Sequence, residues 1–234
     1  MRQPQMILFD AGETLINYLA FDTLKGTEAA MPYLVKNPKN LSAKEIDDCM
    51  NRVTENFLPG RKLGFEVSEL TILRLVSDLL GLEYSVPDEQ VERVIWENTP
   101  VIQPVPHVDE LLRSLNAAGI RTGVISNFEL SGCLLREKLD ELFPENRFEF
   151  VLVSSDYGLR KPQPLLFRAG LAKSGLDPEE VWYVGDKLRP DVEGSRACGM
   201  TPVLYRNPRQ HYGDLPAELL TVGDYRELLL LLGL

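Results

Sequence analysis

Several short apolar runs along the chain have the pattern of strands that are buried on both faces. The runs are Met6–Phe9, Thr122–Ile125, Phe150–Val153, Val181–Val184 and Pro202–Tyr205. Each run is followed by a polar or glycine-rich turn. Unbroken apolar runs, unlike runs in which apolar and polar residues alternate, indicate a parallel sheet that is covered on both faces.

Helical periodicity separates these runs. The stretches that carry it are His107–Ala118, Leu165–Ser174 and Asp191–Cys198, with a short buried helix expected at Leu228–Leu232. The first three end at glycines, which are favoured where a helix stops. The alternation of strands and helices predicts an α/β fold, a doubly wound parallel sheet with a Rossmann-like core.

One long segment, residues 17–99, breaks this alternation because it shows only helical periodicity and no strand run. Its clearest helical pieces are Leu41–Phe57, Val67–Leu80 and Asp88–Glu97, and the prolines 100, 104 and 106 predict a stiff return linker. We therefore predict an all-helical domain, 17–99, inserted after the first strand of a core formed by 1–16 and 100–234. Ligands of open α/β sheets bind beyond the carboxyl ends of the strands, so this insertion should lie over the pocket as a lid.

Composition narrows the classes of function. The chain has 35 Asp and Glu against 25 Lys and Arg, and this net charge of −10 disfavours binding to nucleic acid or anionic lipid. No segment has the length and apolarity of a membrane span or of a signal peptide. Three scattered cysteines are typical of free thiols in a reducing compartment, so we expect a cytoplasmic protein, a monomer or a homodimer.

Polar side chains follow the predicted strands at the edge where a parallel sheet binds ligands. They are Asp10, Ser126, Lys161, Asp186 and Asp191. Each alone is compatible with a turn former, a helix cap or a solvated loop charge. Their convergence on one sheet edge instead indicates a catalytic site.

These segments resemble the motifs of the haloacid dehalogenase superfamily, whose hydrolases use an aspartate nucleophile. The corresponding segments here are FDAGETL around Asp10, VISN around Ser126, LRKP around Lys161 and GDKLRPD from Gly185 to Asp191. They span nearly the whole chain, and the helical insertion is similar to the smaller, helical (C1-type) cap of that superfamily. The resemblance implies a Mg²⁺-dependent hydrolase, most plausibly a phosphatase acting on a small phosphorylated metabolite.

The resemblance also implies a role for each residue. Asp10 would attack phosphorus and form an aspartyl-phosphate, and Mg²⁺ would lie between Asp10, the backbone carbonyl of Gly12 and Asp186. Asp191 would act beside that metal site, and Lys161 would add positive charge against Asp10 and the transferring group. Ser126 and the backbone N–H of Asn127 would hold phosphate oxygens, and Thr14 would steady the turn.

The first motif departs from the pattern of the phosphatases at Gly12, where they carry a second Asp that acts as general acid and base. Such help typically accelerates a reaction ~10²–10⁴-fold. If this loss limits the rate, Gly12→Asp should raise phosphatase turnover.

Four interpretations of Gly12 remain open. In the first, Glu13 is the replacement acid, and in the second the substrate has a good leaving group, such as an acyl or aryl phosphate. In the third, the protein is a phosphonate- or haloacid-cleaving hydrolase; the phosphonate reaction needs a cap lysine, and the candidates are Lys25, Lys36, Lys39, Lys44 and Lys62. The last interpretation is a weakly active protein that binds a phosphorylated ligand.

Overall fold

The computed structural model describes residues 3–234 and contains ten strands there. In chain order the strands are β1 (Met6–Phe9), β2 (Ile16–Phe21), β3 (Leu34–Lys36), β4 (Glu83–Tyr84), β5 (Pro100–Pro104), β6 (Arg121–Ser126), β7 (Phe148–Val153), β8 (Val181–Gly185), β9 (Thr201–Tyr205) and β10 (Leu220–Val222). Six of them form one parallel sheet in the order β10-β9-β8-β1-β6-β7. The five strands expected from apolar runs are confirmed, and β10 is an additional short edge strand.

Ten α-helices accompany these strands in the described part of the chain. They are α1 (Thr23–Ala30), α2 (Ala43–Lys62), α3 (Glu69–Leu80), α4 (Asp88–Asn98), α5 (Val108–Ala117), α6 (Gly132–Leu142), α7 (Ser154–Tyr157), α8 (Pro164–Ser174), α9 (Gly194–Arg196) and α10 (Tyr225–Leu232). The predicted helices at 107–118 and 165–174 are confirmed within one residue, and the helix expected at 228–232 is confirmed but begins three residues earlier, at Tyr225. Helices α1 and α6 were not predicted.

The central strand β1 is buried on both faces, as its unbroken apolar run predicts. Ile7 and Phe9 belong to the larger apolar cluster on one face of the sheet, and Met6 and Leu8 belong to a second cluster on the other face. Because successive side chains of a strand point to opposite faces, one four-residue run contributes to both layers. This arrangement is the doubly wound α/β core that the sequence predicts.

The segment between β2 and β5 carries four α-helices with an apolar cluster of their own, which includes Ile72, Val76, Val91 and Ile95. The expectation that residues 17–99 contain no strand was wrong. Strands β3 and β4 form a small antiparallel ribbon inside the segment, and β2 pairs antiparallel with β5. Strands β3 and β4 have only three and two residues, and the polar residue Asn17 interrupts the apolar residues of β2.

The stretch of prolines from Pro100 to Pro106 is only in part the linker that was expected. Residues Pro100–Pro104 form β5, with a proline at each end. Proline lacks an N–H group but is tolerated at strand ends and in edge strands. The ribbon of β2 and β5 thus carries the chain out of the sheet and back again.

The predicted helix at Asp191–Cys198 is also different in the structure. A π-helical turn, Leu188–Glu193, is followed by the short helix α9. Asp191 and Val192 both donate their backbone N–H to the carbonyl of Lys187, and a carboxylate oxygen of Asp191 accepts the N–H of Lys187 at 2.9 Å. Such wide turns occur mostly at functional sites.

Among residues 3–234, no helix is both long enough and apolar enough to cross a membrane.

Candidate active site

The candidate site lies at the carboxyl edge of the parallel sheet. Asp10 directly follows β1, Ser126 is the last residue of β6, and Asp186 directly follows β8. Because these three strands are neighbours in the sheet, their ends bring the side chains together. Asp10, Ser126, Asp186 and Asp191 are buried, as is Lys161 on the loop before α8.

Lys161 is the charged centre of this group. Its Nζ lies 2.8 Å from Asp10 Oδ1 and 2.6 Å from Asp191 Oδ1, and it donates a hydrogen bond to the hydroxyl of Tyr183 at 2.7 Å. Burial lowers the pKa of Lys161, but the two carboxylates outweigh this effect and hold the pKa above its usual value. The lysine therefore remains a cation inside the protein.

Asp10 has the environment of an ionised carboxylate. Burial would raise its pKa, but Lys161 and the more distant Lys187 more than offset burial, so that the pKa lies below its usual value. The hydroxyl of Ser126 also donates a hydrogen bond to Asp10 Oδ1 at 2.8 Å. An ionised carboxylate with a fixed orientation is the form that can act as a nucleophile.

Asp186 has a different environment. Burial, followed by the charges of Asp10 and Asp191, raises its pKa to about 7. Its side chain accepts hydrogen bonds from the Gln210 amide and, weakly, from the Thr14 hydroxyl at 3.4 Å. No ammonium or guanidinium group of the described residues forms an ion pair with this carboxylate.

The donor set fits a divalent cation. One oxygen each from Asp10, Asp186 and Asp191 lies within 4.8 Å of the others, and Lys161 is the one cation of the described residues that pairs with this group. Carboxylate oxygens are the ligands that Mg²⁺ prefers. Asp191 is paired with Lys161, whereas Asp186 accepts hydrogen bonds only from the neutral groups of Thr14 and Gln210, so a bound cation would neutralise it.

A small cavity of about 110 Å³ opens beside Asp10. It is lined by Asp10, Gly12, Tyr18, Ser126, Asn127, Lys161, Lys187, Pro190 and Asp191. The structure thus gathers the predicted residues around one space, except for Asp186 and Glu13, which do not line it. Asp186 is buried and accepts a hydrogen bond from Gln210, whereas Glu13 pairs with Arg209.

Glu13 was the predicted replacement acid, and the structure does not place it for that role. Its carboxylate pairs with the guanidinium of Arg209 at 3.2 Å and accepts the backbone N–H of Tyr18 at 3.1 Å. Glu13 also adopts a positive φ of 58°. Although it is only three residues from Asp10 in the sequence, it pairs with Arg209 and does not line the cavity beside Asp10.

Asn127 positions Lys161. Its side-chain oxygen accepts the backbone N–H of Lys161 at 2.7 Å, and its side-chain nitrogen donates to the Lys161 carbonyl at 3.1 Å. This reciprocal pair joins the loop after β6 to the loop that carries the lysine. Asn127 also lines the Asp10 cavity, and the sequence-based expectation is that its backbone N–H contacts a phosphate oxygen there.

Three residues of the site were not identified from the sequence. Tyr18 and Lys187 line the cavity, and Gln210 contacts Asp186. Lys187 lies within the GDKLRPD segment, between Asp186 and Asp191, so the sequence could have predicted that it lies at the site. Tyr18 and Gln210 come from a ribbon and a loop whose paths no local pattern indicates.

Comparison with known proteins finds phosphatases among the sequences that are similar to this chain. A glyceraldehyde 3-phosphate phosphatase of Methanocaldococcus jannaschii is 29% identical over 201 residues, which are 84% of this chain and 82% of that protein. A phosphoserine phosphatase of Thermus thermophilus is 33% identical over 125 residues, 53% of this chain and 49% of that protein.

Solved structures share the fold. The crystal structure of a 2-haloacid dehalogenase from Pseudomonas syringae superposes with a TM-score of 0.67 at 21% identity, covering 97% of each chain. The sequence profile described as haloacid dehalogenase-like hydrolase matches residues 7–204. This match spans most of the chain and every motif of the site, and the protein therefore belongs to the haloacid dehalogenase-like hydrolases.

Proposed function

We propose that this protein is a Mg²⁺-dependent phosphatase that hydrolyses small phosphate monoesters through an aspartyl-phosphate on Asp10. The observation that carries the proposal is the buried, ionised Asp10 carboxylate, which lies 2.8 Å from both Ser126 Oγ and Lys161 Nζ. The names of the two phosphatase relatives support a phosphorylated small molecule as substrate.

The chain's own residues supply the nucleophile and its electrostatic support. An oxygen of Asp10 attacks phosphorus, the bond to the alcohol oxygen breaks, and that oxygen leaves with the electron pair and takes a proton from water. Water then attacks the phosphorus of the aspartyl-phosphate, which releases orthophosphate and restores the Asp10 carboxylate. Lys161 stabilises the charge that accumulates on the phosphoryl oxygens, and Ser126 with the Asn127 N–H orients them.

Asp10, Asp186 and the backbone carbonyl of Gly12 would hold the metal ion. Mg²⁺, when bound, would offset the repulsion between the carboxylate and an anionic phosphoryl group. Asp191 Oδ1 lies 2.6 Å from Lys161 Nζ, and Asp191 Oδ2 accepts the backbone N–H of Lys187. We therefore assign Asp191 a positioning role beside the metal site.

We infer that residues 17–99 act as the cap of this site. The loop between α2 and α3 contacts the core next to Lys161: the backbone N–H of Glu66 donates to Gly158, and that of Arg160 donates to Gly64. The Glu66 carboxylate, which is fully buried, also accepts the Ser154 hydroxyl at 2.8 Å and pairs with Arg160 at 3.3 Å. This contact supports a position of the segment over the carboxyl edge of the sheet.

The site gives no support to phosphonate cleavage through a cap lysine. None of the five cap lysines lines the Asp10 cavity, and Lys25, Lys36 and Lys44 have side chains that are more than half exposed. Haloacid cleavage is supported by fold likeness alone. A phosphate ester therefore remains the substrate that the geometry supports best.

The test is phosphate release by the purified protein with Mg²⁺ from p-nitrophenyl phosphate, acetyl phosphate and a panel of sugar and amino-alcohol phosphates. Asp10→Asn should reduce release to background, whereas Asp78→Asn, an exposed carboxylate on α3, should not change it. Release that persists in Asp10→Asn would contradict the proposal. Thermal stabilisation by phosphorylated compounds with no turnover would point to a binding protein instead.

A further inference from the structure

The hydroxyl of Tyr18 is a hydrogen-bond donor at the Asp10 cavity that the mechanism above does not use. Tyr18 lines this cavity, and its hydroxyl forms no hydrogen bond with any of residues 3–234. The backbone of Tyr18, in contrast, is bound on both sides. Its N–H donates to the Glu13 carboxylate at 3.1 Å, and its carbonyl accepts the Arg209 guanidinium at 2.7 Å. The residue is therefore fixed while its hydroxyl is available to a bound molecule.

The ring of Tyr18 is also held in place. It packs against the larger apolar cluster of the core and meets the ring of Phe21 edge to face, with 6.1 Å between the ring centroids. Tyr18 lies on β2, where it pairs with Ile102 of β5. A donor on such a support loses little conformational entropy when it forms a hydrogen bond to a substrate.

The neighbouring donors of the cavity are engaged around the nucleophile. The Ser126 hydroxyl donates to Asp10 Oδ1 at 2.8 Å, and the Lys161 ammonium lies at the same distance from that oxygen. The Asn127 amide donates to the carbonyl of Lys161 at 3.1 Å. These groups surround the carboxylate that attacks phosphorus, so the phosphoryl oxygens are the part of the substrate that they can reach.

Tyr18 lies on another side of the cavity, beside Gly12. A Cβ atom built on Gly12 would lie 3.1 Å from Tyr18 Cε2, and Cε2 is bonded to the ring carbon that carries the hydroxyl. The hydroxyl end of the ring therefore stands in the direction in which a side chain at position 12 would project. A tyrosine hydroxyl keeps its proton near neutral pH, so it can donate a hydrogen bond without titrating.

We propose that the Tyr18 hydroxyl is a catalytic group that donates a hydrogen bond to the ester oxygen joining phosphorus to the alcohol. This inference rests on the proposed phosphatase function, because it provides a partner for the leaving oxygen of that reaction. As Asp10 attacks, the bond between phosphorus and this oxygen breaks and its electron pair stays on the oxygen. The growing negative charge strengthens the hydrogen bond in the transition state. The phenol keeps its proton, and water supplies the proton that the alcohol finally takes.

The test compares Tyr18→Phe with the wild type on p-nitrophenyl, phenyl and n-propyl phosphate in the presence of Mg²⁺. The quantity measured is kcat/KM, which includes the step in which the alcohol leaves. We expect Tyr18→Phe to lower it about tenfold or more for the propyl ester and less than about threefold for the p-nitrophenyl ester, because p-nitrophenolate is a stable anion that needs little support. Each ester is compared with itself in the wild type, so differences in size largely cancel.

Tyr18→Phe keeps the ring and every contact that the structure shows for this residue, so its Tm should match that of the wild type. Tyr33→Phe is the matched control. It removes the same hydroxyl from a residue of the insertion that does not line the Asp10 cavity, and it should leave kcat/KM unchanged for all three esters. A loss of equal size for every ester in Tyr18→Phe, or no loss at all, would overturn the inference.

Lys187 provides a second comparison, because its exposed side chain lines the cavity and forms no ion pair with a residue of the described chain. We expect Lys187→Gln to change kcat/KM by a similar factor for the three esters. A loss that is selective for the propyl ester in Lys187→Gln, but not in Tyr18→Phe, would overturn the inference in favour of the lysine.

The failure of the two proposals can be told apart. A wild-type protein that releases phosphate from none of the esters would contradict the phosphatase proposal, and the role of Tyr18 would be lost with it. Turnover by the wild type without an ester-selective loss in Tyr18→Phe would contradict the role of Tyr18 alone.

Discussion

The ring of Tyr18 covers the space beside Gly12. A Cβ atom built on Gly12 would lie 3.1 Å from Tyr18 Cε2, closer than ordinary van der Waals contact. Tyr18 is held there because it packs against the core and meets Phe21 edge to face. In this protein, therefore, the position where the family resemblance expects an acid lacks the carboxylate, and a side chain there would have to displace the Tyr18 ring by a few tenths of an ångström.

This relationship revises the effect expected of Gly12→Asp. The sequence predicts that the substitution raises turnover, but the structure predicts no gain, or a loss, because Tyr18 obstructs the new side chain. Gly12→Asp combined with Tyr18→Ala should raise kcat for alkyl phosphates by about tenfold or more relative to Tyr18→Ala alone, since a carboxylic acid then reaches the leaving group.

Steady-state kinetics of the wild type, both single variants and the double variant measure this. A clear gain in Gly12→Asp alone would show that Tyr18 moves freely. No gain in a folded double variant would show that a missing acid at position 12 does not limit the rate.

Turnover should depend strongly on the leaving group. Among the described residues that line the Asp10 cavity, Asp191 is the one other carboxyl group, and it is held in an ion pair by Lys161, so an alcohol that leaves as a stable anion has an advantage. We expect log kcat/KM to fall steeply from p-nitrophenyl to phenyl to alkyl phosphates. A flat dependence would indicate that a residue donates a proton, and Tyr18→Phe would then be the variant to examine.

Replacement of Lys161 should affect both activity and stability. Lys161→Met leaves Asp10 and Asp191 without their shared cation, and breaking one side of a buried ion pair typically costs about 3–5 kcal/mol of unfolding free energy. Turnover should fall by roughly 10²-fold or more with the loss of this charge. Lys173→Met, an exposed lysine near the end of α8, is the matched control and should be neutral. Urea unfolding and phosphate release measure the two effects, and a stable, active Lys161→Met protein would refute both.

Mg²⁺ should stabilise the folded protein through Asp186. A ligand that binds only the folded state at a hundred times its Kd adds about 2.7 kcal/mol. We expect Tm to rise with Mg²⁺ in the wild type and to respond little in Asp186→Asn. The variant should also be more stable than the wild type without metal, because it removes a buried, uncompensated charge. An equal response of the two proteins to Mg²⁺ would place the ion elsewhere.

Glu69 should make stability depend on pH. Its pKa is raised from 4.5 to about 7 by burial and by Glu129 and Glu92, with Asp47 adding to the rise and Arg61 opposing it. Between these two values the folded state keeps a proton that the unfolded state has lost. Stability therefore falls as pH rises through this window, by up to ~1.4 kcal/mol per pH unit, and the penalty is complete above pH 7.

Urea unfolding of the wild type and Glu69→Gln at pH 5, 6, 7 and 8 measures this dependence. The variant should gain stability relative to the wild type as pH rises. A difference that stays constant across the series would mean that Glu69 is ionised in the folded state throughout.

The fold and the motif residues could be predicted from the local pattern of apolar and polar residues. Unbroken apolar runs gave the buried strands, and the carboxyl ends of adjacent parallel strands necessarily meet at one edge. For this reason Asp10, Ser126 and Asp186 could be brought together before any coordinates were known. Lys161 was grouped with them because it follows a predicted strand, but its role beside Asp10 followed only through the family resemblance.

What the sequence determined by itself is the chemistry that the chain carries: the sheet, its covered faces and the identity of the groups at its edge. Only the tertiary structure decided which side chains lie beside these groups. The antiparallel pairing of β2 with β5 brings Tyr18 next to Gly12, and Glu13 forms an ion pair with Arg209. The cavity that is lined by Asp47, Glu69 and Glu129 also forms only in the folded protein. Residues far apart in the chain meet there because the helices pack together, and this packing depends on the whole chain rather than on any local pattern.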